Sequence, residues 1–399
     1  MKYSLSIIAL LLLLVSSCNQ EISPEQADRF IKFYGNSLMD EAKDIEVLSD
    51  GSYAICGTDS VAGEGKRMVL VVTDKYGIMK SGFPKYYTEE GYESGANAMV
   101  VRSGGSRGFL LVGFVERPMG RDSIQKDIFL VKTSSSGELS WTRSYGSMED
   151  ESVLHATEMI SSGGFMLAGY QVKRGKTDIM IMGVSEIGDS IKLGLNYNNP
   201  FSDNAAATYI LNTGDKYLAI CTYDKIGTDG TDILILSFDD DLSPNDEILD
   251  EGSYEVGRAI VEDSTNRYLI LGNRINVSGS SEGLVYLIET SGFNITKSSL
   301  VATIDETNSD LFAERIVKTE DGRFAIVGTR QSNGNSDIFL QFLQPDYQKT
   351  ERLIYGSAGN QSGADIDLPA DGGLIMLGTN EYGPNSMISL VRTGDVGEL

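Results

Sequence analysis

The chain has 399 residues, with 33 Lys+Arg against 57 Asp+Glu for a formal charge of −24, and only one His, one Trp and three Cys. An acid excess of this size excludes nucleic acid as a partner, because phosphate contacts need a surplus of Lys and Arg. The scarcity of His and Cys excludes a four-ligand zinc cluster, and a Ser-His-Asp site would have to use His155. What remains is a binding surface, a scaffold or an enzyme built on carboxylates.

In chain order, Lys2 is followed by an unbroken apolar run over 7–15, too short to span a bilayer but suited to the core of a signal peptide. The next residues, Val15-Ser16-Ser17-Cys18, resemble the bacterial lipobox. That resemblance implies a lipoprotein signal peptide over 1–17 and a mature N-terminus at Cys18, lipidated on its sulfur and acylated on its amine. Several acyl chains buried together hold a protein firmly where one chain does not. The implied address is the bacterial outer membrane, reached through lipidated Cys18, with the periplasmic and surface sides both open. Residues 18–29 read as the lipidated Cys and a polar tether containing Pro24.

Beyond the tether, apolar runs ending in Gly recur at Gly57, Gly113, Gly169, Gly272, Gly328 and Gly378, with Cys221 in the Gly place of one further run, at spacings of 50 to 56 residues. A turn signal such as Asp50-Gly51 or Asp321-Gly322 precedes most of them. A second apolar run follows, often opened by Asp, as at Asp127, Asp178, Asp232 and Asp337. Short, partly β-branched runs bounded by Gly and Asp are strands, and near-continuous apolarity means both faces are covered. Each period then holds four strands, A to D, placed in the first unit at 44–48, 53–56, 68–72 and 78–86.

Four-stranded repeats of this length, packed face to face, predict the blades of a β-propeller. The last unit stops after its third strand at 387–392. Phe30-Ile31-Lys32-Phe33-Tyr34-Gly35, ahead of the first unit, matches the D strands ending Tyr145-Gly146 and Tyr355-Gly356. The expectation is therefore all-β: one seven-bladed β-propeller of four-stranded antiparallel blades over 30–399, its N-terminal strand completing the last blade. The units resemble the repeat of secreted bacterial β-propellers of the lipoprotein type, as in Bacteroidetes envelope lipoproteins. They share aromatic-Gly after strand D, Asp-Gly-Gly-aromatic, and an aliphatic run ending in Gly. The likeness covers 30–394 and departs at Cys221 and at Gly283-Leu284, which lacks the Asp. It implies architecture and no activity, since propellers host many functions.

In such a meander the A–B and C–D turns emerge on one face, and the B–C loops and D–A connections on the other. The D–A connections, taken as 34–41, 87–93, 145–151, 197–204, 250–258, 305–314 and 355–363, carry a net −15. The B–C loops, taken as 58–67, 114–126, 170–177, 222–231, 273–282, 329–336 and 379–385, carry +3. Function is expected on that face, where Arg117, Arg121, Lys173, Arg174, Arg274 and Arg330 stand among carboxylates, and Tyr223 and Tyr382 could stack on sugars. Against this stands a plain solvated surface of local ion pairs.

No catalytic residue, cofactor or metal site is assigned. Asp224 to Asp232 and Asp239-Asp240-Asp241 lack EF-hand spacing. His155 reads as structural, with a bulge beside it, and Cys56 and Cys221 as small buried hydrophobes too far apart to pair. The leading expectation is a non-enzymatic, lipid-anchored binding or scaffold module for an envelope protein or polysaccharide. The alternative is a carboxylate-based glycan hydrolase or lyase on the same scaffold.

Overall fold

Every apolar run ending in Gly, and Cys221 with them, lies on the second strand of a four-stranded antiparallel sheet. The computed structural model describes residues 28–35, 38–102, 108–119, 123–161, 163–196, 204–224, 230–249, 254–276, 278–356 and 359–399, with no account of the side chains of 191–196. The described residues form seven such sheets, six of them continuous in sequence. The seventh takes its outer strand, Phe30–Tyr34, from the other end of the chain. Phe30 pairs with Arg392 and Tyr34 with Ile388, so backbone hydrogen bonds close the ring.

The core lies between blades. Seven buried apolar clusters each straddle one junction, from Cys56 and Leu70 against Leu111 and Phe129 at blades 1 and 2, to Ile375 and Leu390 against Ile55 and Val71 at blades 7 and 1. Strands B and C are sandwiched on both faces, which is why they read as unbroken apolar runs.

The innermost strands run Glu41–Val47, Glu93–Val101, Glu151–Glu158, Ala205–Asn212, Glu255–Ser264, Asp310–Lys318 and Asn360–Asp367. All seven carry a bulge near the same place, between Ala42 and Asp44 in blade 1 and between Val153 and His155 in blade 3. The bulge expected beside His155 is thus a property of the whole repeat. It also explains the Gly that ends the apolar run of strand B: a Cβ on Gly113 would overlap the carbonyl oxygen of Gly95, just ahead of the bulge. Blade 4 keeps the bulge with Cys221 at this position, and nothing in the structure explains that exchange.

The Tyr that ends strand D joins neighbouring blades. The Tyr34 hydroxyl donates to the Gly77 carbonyl at 2.7 Å and Tyr87 to Gly137 at 2.6 Å, while Tyr145 and Tyr355 reach Gly188 and Gly397. The Gly after the Tyr leaves room for the Asp that opens strand C, because a Cβ on Gly356 would overlap the Asp337 carboxylate.

Two expectations need correction. The B–C loops are mostly strand: Tyr53–Val61 continues into Gly65–Thr73, and Phe324–Ser332 into Asn335–Leu343, with two- or three-residue turns. Their polar residues pair across the hairpin, as Arg67 does with Asp59 at 2.7 Å. Strand D of blade 1 is also shorter than expected, Lys85–Tyr87.

Candidate functional site

Arg117, Arg274 and Arg330 sit on the far halves of strand B, at the end of the ring where the B–C turns and D–A connections emerge. Each is held by carboxylates. Arg117 donates to both oxygens of Glu89 at 2.7 Å and to Asp127 at 2.6 Å. These bonds hold the Glu89 carboxyl below its ordinary value. Arg330 donates to Glu306 at 2.6 to 3.0 Å, and Arg352 adds a bond of 2.8 Å. The two guanidiniums push Glu306 down to about 2. Arg274 donates to Glu282 at 2.6 Å. These are separate bidentate or short charged pairs.

Lys173 and Arg174 are exposed at the B–C turn of blade 3, where Arg174 takes a left-handed φ of 54° and its amide donates to Glu149 at 2.6 Å. Arg121 lies outside the described residues, as do 225–229 of the Asp-rich stretch. Tyr223 is buried, and its hydroxyl donates to Asp232 at 3.1 Å, so its ring belongs to the junction between blades 3 and 4. Tyr382 remains 40% exposed. On the same end of the ring, a groove of about 390 Å³ between blades 5, 6 and 7 is lined by amides and hydroxyls, among them Ser280, Asn308, Gln331, Asn333, Asn335 and Asn360. Asn360 pairs with Glu381, the sequence neighbour of the exposed Tyr382.

A second site lies in the central channel. A cavity of about 680 Å³ runs from the bulges toward the A–B turns, reaching Asn212 to Gly214. Its polar lining comes from the residue that follows each bulge: Asp44, His155, Tyr209, Arg315 and Asp365, with Ala98 and Ala259 in blades 2 and 5. Two positions further on stand Glu46 and Asp367.

Asp44 and Asp365, each 5% exposed, hydrogen-bond carboxyl to carboxyl, and burial raises both. Arg315 approaches Asp365 at 3.3 Å and lies 5.0 Å over the Tyr209 ring. That ring stacks on His155 at 3.8 Å between centroids. Burial, then the charge of Arg315, pushes the imidazole well below its ordinary value, so His155 is neutral. Among the described residues no three His, Cys, Asp or Glu side chains are grouped to hold a metal ion.

Apart from His155, these channel residues are not marked by the features the blades share in sequence. The position that differs most between blades is the one that pairs with the residue just before the strand-B Gly. In register with that Gly, the seven units carry Asp, Ala, His, Tyr, Ala, Arg and Asp.

No family model matches the chain, and no curated protein matches it in sequence. Among solved structures, extracellular domains 1–2 of Drosophila Semaphorin 1a match 91% of this chain and 88% of theirs, at 10% identity and a TM-score of 0.53. Prolyl oligopeptidase B from Galerina marginata, bound to a 35mer hydrolysis and macrocyclization substrate, matches 92% of this chain at 12% identity and a TM-score of 0.51. The chain spans about half of that peptidase, 52%. Likeness at these identities is one of fold, and the fold is a seven-bladed β-propeller.

Proposed function

We propose that this propeller is a non-enzymatic binding or scaffold module, held at the bacterial outer membrane by a lipid on Cys18, and that its partner is an envelope polysaccharide. The observation that carries this reading is the polar groove between blades 5, 6 and 7. Its lining is mainly neutral amide and hydroxyl groups, which can both donate to and accept from sugar hydroxyls. The guanidiniums around it are already satisfied by carboxylates, which favours a hydroxyl-rich ligand over an anionic one.

The hydrolase alternative draws on the Asp44–Asp365 pair. Glycosidase carboxylates stand about 5 to 9.5 Å apart to admit the scissile bond and, in inverting enzymes, a water. Two carboxyls bonded directly to each other leave no such space, and both are also spent on backbone amides. That geometry favours the binding reading.

Retention of the full chain on immobilised bacterial envelope polysaccharides tests the proposal. Wild type should be retained, and Asn335→Ala/Tyr382→Ala should elute at least tenfold earlier in competing free glycan. Retention of a purified envelope protein with no glycan bound would overturn the polysaccharide reading.

A further inference from the structure

We infer that the end of the ring carrying the A–B and C–D turns rests against the lipid surface, so that the polar groove at the opposite end faces away from the membrane. The inference rests on the Cys18 anchor proposed above and adds which end that anchor holds down.

The place where the chain leaves the ring is fixed by its pairing. Phe30 pairs with Arg392, which pairs in turn with Ile375, so the first strand starts level with the end of the blade where its C–D turn emerges. Arg29 is set against Glu398 of that turn at 2.7 Å, and Asp28 lines one cavity with Gly394 and Val396.

Length decides which end can meet the bilayer. The steps from Asp28 back to Cys18 cover at most about 35 Å at full extension. The near end needs none of that reach, because the chain already leaves there. At the far end Asn360 pairs with Glu381 beside the groove, and the hairpin tip beyond is Gly383. The blade from Ile375 to Gly383 is about 26 Å long at the rise of a strand. With the two steps from Asp28 to Phe30, a ring turned groove-down would use about 33 Å of tether merely to reach the level of its own tips. Almost nothing would remain to carry the acyl chains into the bilayer.

The near end is also fitted for the contact. Tyr76 and Ile78 on the C–D turn of blade 1, Ile187 on that of blade 3 and Val396 on that of blade 7 are exposed around the exit. Apolar side chains at turn tips can settle at the headgroup boundary, where buried apolar area adds to the hold of the anchor. Met119, Ile124 and Met148 are exposed at the other end, so apolar surface alone does not choose between the two ends. The exit of the chain does.

The test uses the full chain made in a bacterial host, purified with its lipid and placed in phosphatidylcholine vesicles. A fluorophore is attached at Ile78→Cys, Ile187→Cys or Gln331→Cys, while the native Cys56 and Cys221 are buried and stay unlabelled. A quencher carried on the lipid headgroup should dim the label at either turn site at least threefold more than the label at the groove site. Equal quenching at all three, or stronger quenching at the groove site, in protein whose mass shows a lipidated Cys18 would overturn the orientation and leave the anchor standing. An unmodified Cys18 with no quenching at any site would overturn the anchor, and the orientation with it.

Discussion

Asp44 and Asp365, from opposite ends of the chain, hydrogen-bond carboxyl to carboxyl across the junction where blade 7 meets blade 1, and burial raises both. Each also accepts an amide from the inner strand of the next blade: Asp365 from Ile45 at 3.0 Å, and Asp44 from Met99 at 2.6 Å. His155 repeats the arrangement with the Ile210 amide at 3.4 Å. In blades 7, 1 and 3 the residue after the bulge is thus an acceptor that laces one blade to the next.

Removing Asp365 should loosen this lacing where the ring is closed. Asp365→Ala strips Arg315 of its nearest carboxylate inside the channel and leaves the Ile45 amide unpaired. Breaking a buried charged pair on one side costs about 3 kcal/mol or more. Denaturant unfolding of Asp365→Ala should therefore show a loss of that size, with Asp365→Asn losing clearly less. Equal stability of Asp365→Ala and wild type would show that the pair contributes nothing to closure.

The same cavity sets a pH dependence. A carboxyl that holds its proton more tightly in the folded state adds stability below its unfolded value, and that stability is lost as pH rises through the folded one. For Glu46 the loss begins near its ordinary 4.5 and ends beyond about 8. Each such proton changes stability by about 1.4 kcal/mol per pH unit. His155 has the opposite sign: its depressed value makes stability fall as pH drops below its ordinary 6.5. Between pH 6.5 and 8 the wild type should lose stability, and Glu46→Gln should lose less by close to one proton. Parallel curves for the two proteins would contradict this assignment.

The strand-B Gly is required by the bulge opposite it. Gly113→Ala should cost about 1 to 3 kcal/mol, because the new Cβ must displace the Gly95 carbonyl and with it the bulge. Thermal unfolding of Gly113→Ala at or above the wild-type temperature would remove the close approach as the reason for the repeated Gly.

The anchor is testable apart from the ring. In a bacterial host, Cys18→Ala should move the protein from the membrane fraction to the soluble one. An unmodified Cys18 in a soluble wild-type product would contradict lipidation.

Blade number, strand order and closure by residues 30–34 were legible because the repeat repeats its constraints. Gly113 and its equivalents answer to the bulge, and Tyr34, Tyr87, Tyr145 and Tyr355 each fasten one blade to the next. Loop lengths were not legible, because polar residues at a hairpin tip look the same whether they pair across strands or face water. Arg67 and Asp59 are an example. The channel was hidden for a different reason. Asp44, His155, Tyr209, Arg315 and Asp365 occupy one column whose residue changes from each blade to the next in sequence, and only ring closure brings Asp365 against Asp44. Tyr223 looked like a stacking surface, but its place on strand B buries it.

Hydrogen–deuterium exchange with and without a bound envelope polysaccharide tests the central claim most directly. Protection should concentrate on peptides covering 308–310, 331–336 and 382, with the A–B turns of the opposite face unchanged. Protection confined to the A–B turns, or none on the groove at saturating glycan, would contradict the account.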